Sequence, residues 1–147
     1  MKRLLAIVLL SMLAALPAVA GDKVHRLAFQ ISDESPDKMN LVLGNATNVA
    51  QYYSARGEEV EIKIVAFNAG VDMMRTDKSP VLERLKSVTE SLPNLTLEVC
   101  NNTLEGMAKR EGKKASEIPL FAGSKIVPAG VVELLELNEQ GWTIIRP

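Results

Sequence analysis

The stretch LTLEVCNNTLEGM, residues 95–107, holds the single cysteine of the chain. An apolar, β-favouring run delivers Cys100 to the start of a helical pattern. Asn101, Asn102 and Thr103 are all residue types that cap such a helix. A thiol at a helix N-terminus faces unpaired N–H groups and the positive end of the helix dipole. That placement lowers its pKa and favours the thiolate, the reactive species. The same field stabilises a persulfide anion. The competing reading is an inert, buried thiol, because free cysteine is among the most buried residue types. Position alone leaves both readings open.

Little else in the chain suggests nucleophilic chemistry. The one histidine, His25, falls at the start of the first strand, at the end of the sheet away from Cys100. A Cys–His dyad is therefore not expected. No CxxC motif is present, so one chain has no thioredoxin-style pair. One Cys and one His cannot build a structural zinc site. Neither GxGxxG nor GxxxxGK[ST] occurs, so no phosphate-cradling loop is indicated. No cofactor is expected. Two further loops follow strands: Phe67-Asn68-Ala69-Gly70 and Pro128-Ala129-Gly130. Asn68 and Gly70 read either as a backbone-amide loop beside the site or as an ordinary turn. Pro128 and Gly130 are candidates to line the same site. Met73 and Met74 read as packing residues. The basic run AKREGKK, residues 108–114, reads as a solvated helix end or a docking surface. The sequons at Asn45, Asn94 and Asn101 are of a kind frequent by chance.

Positioning these loops requires a particular order of elements. Residues 24–32 read as a strand ending in the turn-like SDESPDK. Met39, Leu41, Val42, Leu43, Ala46, Val49, Ala50 and Tyr53 recur at helical spacing, with Asp37 in the first turn and Gly57 as the stop. Residues 58–67 alternate and then turn continuously apolar, as a strand buried on both faces does. A loop with a short helical turn follows. The second main helix is predicted from Ser79 as N-cap and Pro80 at its first position. NLTLEVC is the third strand, and the helix after it closes at Gly112. SKIVP is a short fourth strand, AGVVELLELNEQG a helix closed by Gly141, and WTIIRP a last strand. Strict β-α alternation predicts an α/β three-layer sandwich with a mostly parallel five-stranded sheet, flavodoxin- or Rossmann-like. Ligands in such folds sit outside the carboxyl ends of the strands, near a switch in strand order.

The ends of the chain bear on compartment. Lys2 and Arg3 precede an apolar core, Leu4 to Leu16, and Ala18-Val19-Ala20 is an A-x-A cleavage site. This is the pattern of a secretory signal peptide, residues 1–20, leaving a single domain over 21–147. The apolar core is shorter than the ~20 residues a membrane span needs. An uncleaved anchor is the alternative. With 17 Lys and Arg against 18 Asp and Glu, and few aromatics, the chain has neither the basic patch nor the stacking surface of a nucleic-acid binder. In an oxidising compartment a lone thiol must be buried, paired between chains, or used.

With those blocks in place, the chain resembles the DsrE/DsrF-like family of small sulfur-relay proteins, in its exported, periplasmic branch. The likeness covers nearly all of residues 24–147 and rests on four stretches: FQISDESPDKMNLVLGNATN, VAFNAGVDMMRTDKSPVLERL, the Cys-x-Asn-Thr signature at Cys100, Asn102 and Thr103, and IVPAGVVELLELNEQGWTIIRP. It implies a DsrE-like α/β fold assembled as a homo-oligomer, a trimer or hexamer. It also implies a cysteine that carries sulfane sulfur as a persulfide and passes it on. That role transfers to Cys100 alone, with Asn102 and Thr103 holding the loop. Relatives often carry His-Gly-Pro-Gly or aromatic-Gly-Pro-Gly after the second strand. Here the loop is Phe67-Asn68-Ala69-Gly70, without a histidine.

The expectation is a periplasmic sulfur carrier whose partners are donor and acceptor proteins or small thiols, with no nucleic acid and no membrane after signal cleavage. Two other classes stay open: an oligomeric ligand-binding or interaction protein with a structural Cys100, and a redox sensor forming an intermolecular disulfide. The broad apolar surface of the last helix (Val131, Val132, Leu134, Leu135, Leu137) suits a subunit interface or complete burial of that helix.

Overall fold

The computed structural model describes residues 24–147, so the proposed signal peptide lies outside the described residues. The strands are β1 (His25–Ile31), β2 (Val60–Ala66), β3 (Leu95–Cys100), β4 (Lys125–Val127) and β5 (Thr143–Ile145). The α-helices are α1 (Pro36–Ser54), α2 (Leu82–Ser91), α3 (Asn101–Glu111) and α4 (Gly130–Glu139). Short 3-10 segments occupy Asn68–Met74 and Ala115–Glu117.

The five strands form one sheet in the order β4-β3-β2-β1-β5, and every pairing is parallel. The chain walks from β1 to the β4 edge, then returns across the whole sheet to place β5 beside β1. Parallel crossovers are right-handed, so the outward and return journeys must use opposite faces. The cores record this. Residues of α1, α2 and α3 (Met39, Leu43, Leu85, Leu104, Met107) pack with Leu27, Phe29, Ile62, Ile64 and Val99 on one face. On the other face α4 supplies Leu134 and Leu137 against Ala28, Val65, Phe67, Cys100 and Trp142. The result is the α/β three-layer sandwich that the alternation predicts. Among the described residues, one outer layer has three α-helices and the other has α4 alone.

Local signals explain most boundaries. Ser35 caps α1, its hydroxyl accepting from the Lys38 N–H, with Pro36 at the first helical position. Ile64, Val65, Ala66 and Phe67 are all buried, as a strand covered on both faces requires. Gly112, at φ 65°, closes α3 in the left-handed region. The start of α2 differs from expectation. Val81, not Ser79, is its N-cap, and no side chain caps it. The Ser79 hydroxyl instead donates to the Met73 carbonyl at 2.7 Å and accepts from the Val81 N–H at 3.3 Å. Ser79 thus stabilises the turn leading into α2. Pro80 lies in that turn, ahead of the helix.

Candidate functional site

Cys100 is the last residue of β3 and itself the N-cap of α3. The cap expected among Asn101, Asn102 and Thr103 is therefore one residue earlier, and those three are the first helical residues. No side-chain oxygen caps this helix. The Cys100 side chain lies at the head of α3 but makes no cap hydrogen bond there. Burial pushes the Cys100 thiol up. The polar donors around it, the Thr103 hydroxyl first and then the backbone N–H groups of Gly130, Thr103 and Asn102, outweigh burial and leave the thiol below its ordinary value. These donors belong to two different helix N-termini, α3 and α4.

Three strand ends are stitched together around it. The Asn68 N–H, just after β2, donates to the Thr103 hydroxyl oxygen at 3.0 Å, and that hydroxyl is the polar group that lowers the Cys100 thiol most. The Asn102 N–H also reaches the Pro128 carbonyl, just after β4, at 3.3 Å. Gly130 presses α4 against the end of β2 so closely that a Cβ there would lie 2.9 Å from Phe67 Cβ. Asn68 reaches its position with φ 49°, a left-handed conformation that asparagine tolerates better than most residues.

Gly70 has a different place. Its N–H is taken by the Phe67 carbonyl at 3.1 Å, and the residue is buried against the end of β1. A Cβ at Gly70 would sit 2.3 Å from the Ile31 carbonyl oxygen. Gly70 therefore packs the loop onto the sheet and offers no amide to the site. His25 lies at the start of β1, its ring stacked on Tyr53 at 3.8 Å and its Nε2 2.7 Å from Glu58. It makes no dyad with Cys100. Met73 and Met74 are core residues.

A cleft of about 820 Å³ opens over the sulfur, with Cys100, Asn68, Asn102, Thr103, Met107 and Ala129 in its wall. Cys100 itself is 5% exposed, so a small group can reach it only at the cleft floor. The cleft lies over the ends of β2, β3 and β4 and reaches Glu34 in the loop after β1.

The far wall of the cleft holds an ionic cluster not singled out from the sequence. Arg75, fully buried, donates to both oxygens of Asp77 at 2.9 and 2.7 Å and to both oxygens of Glu111 at 2.5 and 3.1 Å. Lys78 adds a contact to Glu111 at 2.9 Å. Arg75, then Lys78, hold the Glu111 carboxyl well below the usual carboxylate range, and Arg75 does the same to Asp77. The cluster ties the loop after β2 to the end of α3. Among the described residues no group of three His, Cys, Asp or Glu side chains is arranged to hold a metal ion, and no helix is long and apolar enough to cross a membrane.

No family model matches the sequence, and no curated protein does. Among solved structures the chain is similar to a protein of unknown function, MTH1491 from Methanobacterium thermoautotrophicum. The two share 27% identity and superpose with a TM-score of 0.67, over 84% of this chain and 99% of that one. That likeness agrees with the α/β architecture. The chemistry must be argued from the site itself.

Proposed function

We propose that the protein is a sulfur carrier, an exported one in the periplasm, that holds sulfane sulfur as a persulfide on Cys100. The observation that supports this reading most directly is the placement of the thiol: Cys100 stands at the head of α3 on the floor of a cleft, where the Thr103 hydroxyl and the N–H groups of Gly130, Thr103 and Asn102 draw it below its ordinary value. A structural thiol has no need of such donors. A thiolate does, and so does the persulfide anion that replaces it.

The transfer is a pair of exchanges at sulfur. The Cys100 thiolate attacks the outer sulfur of a donor R–S–SH. A bond forms between Cys100 Sγ and that sulfur, the donor's S–S bond breaks, and RS⁻ leaves with the electron pair and takes up the proton. Cys100–S–S⁻ remains. An acceptor thiolate then attacks the outer sulfur, and the Cys100 thiolate departs. Sulfur is passed without net oxidation. Helix amides favour each anion in turn, and a buried sulfur at the cleft floor is shielded from oxidation toward sulfenic acid. Asn68 and Pro128 serve by holding Thr103 and Asn102 in place; Asn102, Thr103 and Gly130 supply the donors.

A homo-oligomer is part of the proposal. It is supported by the apolar side chains that α4 leaves exposed: Val131 (63%), Val132 (49%) and Leu135 (57%).

The deciding experiment is intact mass of the purified protein after incubation with inorganic polysulfide, with and without reductant. The expected result is a reductant-sensitive gain of one sulfur atom that is absent in Cys100→Ser. An unchanged mass, with Cys100 silent to alkylation until denaturation, would overturn the reading in favour of a structural cysteine.

A further inference from the structure

Beneath α4 lies a second buried polar group, on the same face of β3 as Cys100 and two residues before it. The Glu98 side chain is 4% exposed, and its Oε2 has no hydrogen-bond partner. Its Oε1 meets Lys63 Nζ at 2.6 Å. Lys63 reaches across from β2 and also bonds Glu133 of α4 at 3.3 Å, while lying 5.3 Å from the centre of the Trp142 ring. The other charged group along that face of β2 is Glu61, which is committed to Arg26 of β1 at 3.0 Å. Lys63 is thus the one cation between two carboxylates, one on the sheet and one on the helix. Burial pushes Glu98 up. It also works against the charge on Lys63, but the bonds to Glu98 and Glu133 hold that amine above its usual value.

The position of Glu133 gives this cluster its significance. Its N–H closes the first turn of α4 on the Ala129 carbonyl at 2.9 Å. Gly130 lies in that same turn, its neighbours Ala129 and Val131 line the cleft beside Cys100, and Leu134 one turn on packs in the same cluster as Cys100. Among the described residues α4 is the one helix on its face of the sheet, and its start is held by Gly130 against Phe67 and by the Asn102–Pro128 bond just before it. The Lys63–Glu133 pair is a polar anchor between that turn and the sheet.

We propose that Lys63 and Glu133 are positioning residues for Cys100, strapping the first turn of α4 to the sheet so that the helix N-terminus, with the Gly130 amide, stays beside the thiol. The proposal deepens the carrier reading and rests on it for its biological meaning, but the geometry it asserts can be measured without any sulfur transfer. The charged side chains on the cleft side of Cys100 are Glu34, Asp72, Arg75, Lys78, Arg110 and Glu111. None of them belongs to α4, so the strap can be cut without altering them.

The test is the pH profile of Cys100 alkylation by iodoacetamide in the full chain, read beside the thermal melt. Glu133→Ala removes the helix end of the strap and leaves Lys63 paired with Glu98. Moving one donor away from a thiolate should raise the alkylation midpoint by about one pH unit and slow the reaction at neutral pH roughly tenfold. Glu133→Gln, which keeps an acceptor for Lys63, should recover part of the shift. If Glu133→Ala does not fold, the paired change Lys63→Met with Glu98→Met removes both buried charges together and is read the same way. A midpoint that stays at the wild-type value in a folded variant, whether or not the melt drops, would overturn the proposal by showing that the cluster serves only packing. Sulfur loading on polysulfide is scored separately. A shifted midpoint in a protein that never gains sulfur would sink the carrier reading and leave the strap standing.

Discussion

The Asn68 N–H donates to the Thr103 hydroxyl oxygen at 3.0 Å, and the same hydroxyl draws the Cys100 thiol below its ordinary value. Thr103→Val keeps the shape and removes the donor. The Cys100 alkylation midpoint should rise, because a group that favoured the thiolate is gone. The Asn68 N–H left behind is exposed and can turn to water, so the thermal melt should shift little. Thr103→Ser should behave close to wild type. A Thr103→Val midpoint equal to wild type would mean that the backbone amides alone set the acidity.

That hydroxyl also marks how far the sequence can be read. Alternation of strand and helix was legible because its signals are local: apolar period, Ser35 before Pro36, and Gly112 at the end of α3. The strand-end position of Cys100 was legible for the same reason. What pulled against prediction was long-range. Arg75 and Glu111 are 36 residues apart in the chain, and nothing in either neighbourhood announces the pair. Lys63, Glu98 and Glu133 meet only because β2, β3 and α4 stack, and Lys63 and Glu133 are 70 residues apart. Ser79 looked like a helix cap by type. Its hydroxyl was claimed instead by the Met73 carbonyl. Gly70 looked like an amide donor, but its need for a glycine comes from the backbone of β1 pressing against it.

Gly70 and Gly106 should respond oppositely to alanine. At Gly70 the added Cβ would lie 2.3 Å from a backbone oxygen, so the loop after β2 must move off β1. Gly70→Ala should destabilise by about 2–3 kcal/mol or prevent folding, and should disturb Cys100 alkylation. Gly106 is inside α3, and its added Cβ would meet only the end of the Arg110 side chain at 3.6 Å, an ordinary contact. Gly106→Ala should stabilise by about 0.5–1 kcal/mol through helix propensity. Urea unfolding of the two variants measures both signs.

Acid stability should trace to Arg75. Glu111 and Asp77 both have folded pKa values pulled below their ordinary 4.5 and 3.8 by bonds to that guanidinium. The native state then binds fewer protons than the unfolded chain at low pH. The stabilisation is complete above the ordinary values and is lost as pH falls through the depressed ones. Urea midpoints should hold level from neutrality to about pH 5 and fall below it. Glu111→Gln should lower the neutral-pH midpoint and flatten the acid limb. An unchanged acid limb in that variant would assign the acid sensitivity to carboxylates elsewhere.

Assembly should depend on α4. Val131, Val132 and Leu135 fall at i, i+1 and i+4 and are all about half exposed or more, a stripe of apolar surface on the helix that also carries Gly130 beside the thiol. A second copy packed on this stripe would bury it and press α4 toward the sheet. Val131 also lines the cleft, so such a partner would stand at the cleft mouth. Light scattering of the purified protein should therefore report a mass above that of one chain. Leu135→Glu puts a charge where the partner would sit and leaves the buried residues Leu134 and Leu137 untouched, so it should yield monomers that keep the fold. If the oligomer tightens the site, those monomers should alkylate faster at Cys100 when pH is high enough to ionise every thiol, because the mouth is open. A wild-type chain that scatters as a monomer at all concentrations would remove the oligomer from the proposal, and the α4 stripe would then be free for a donor or acceptor protein.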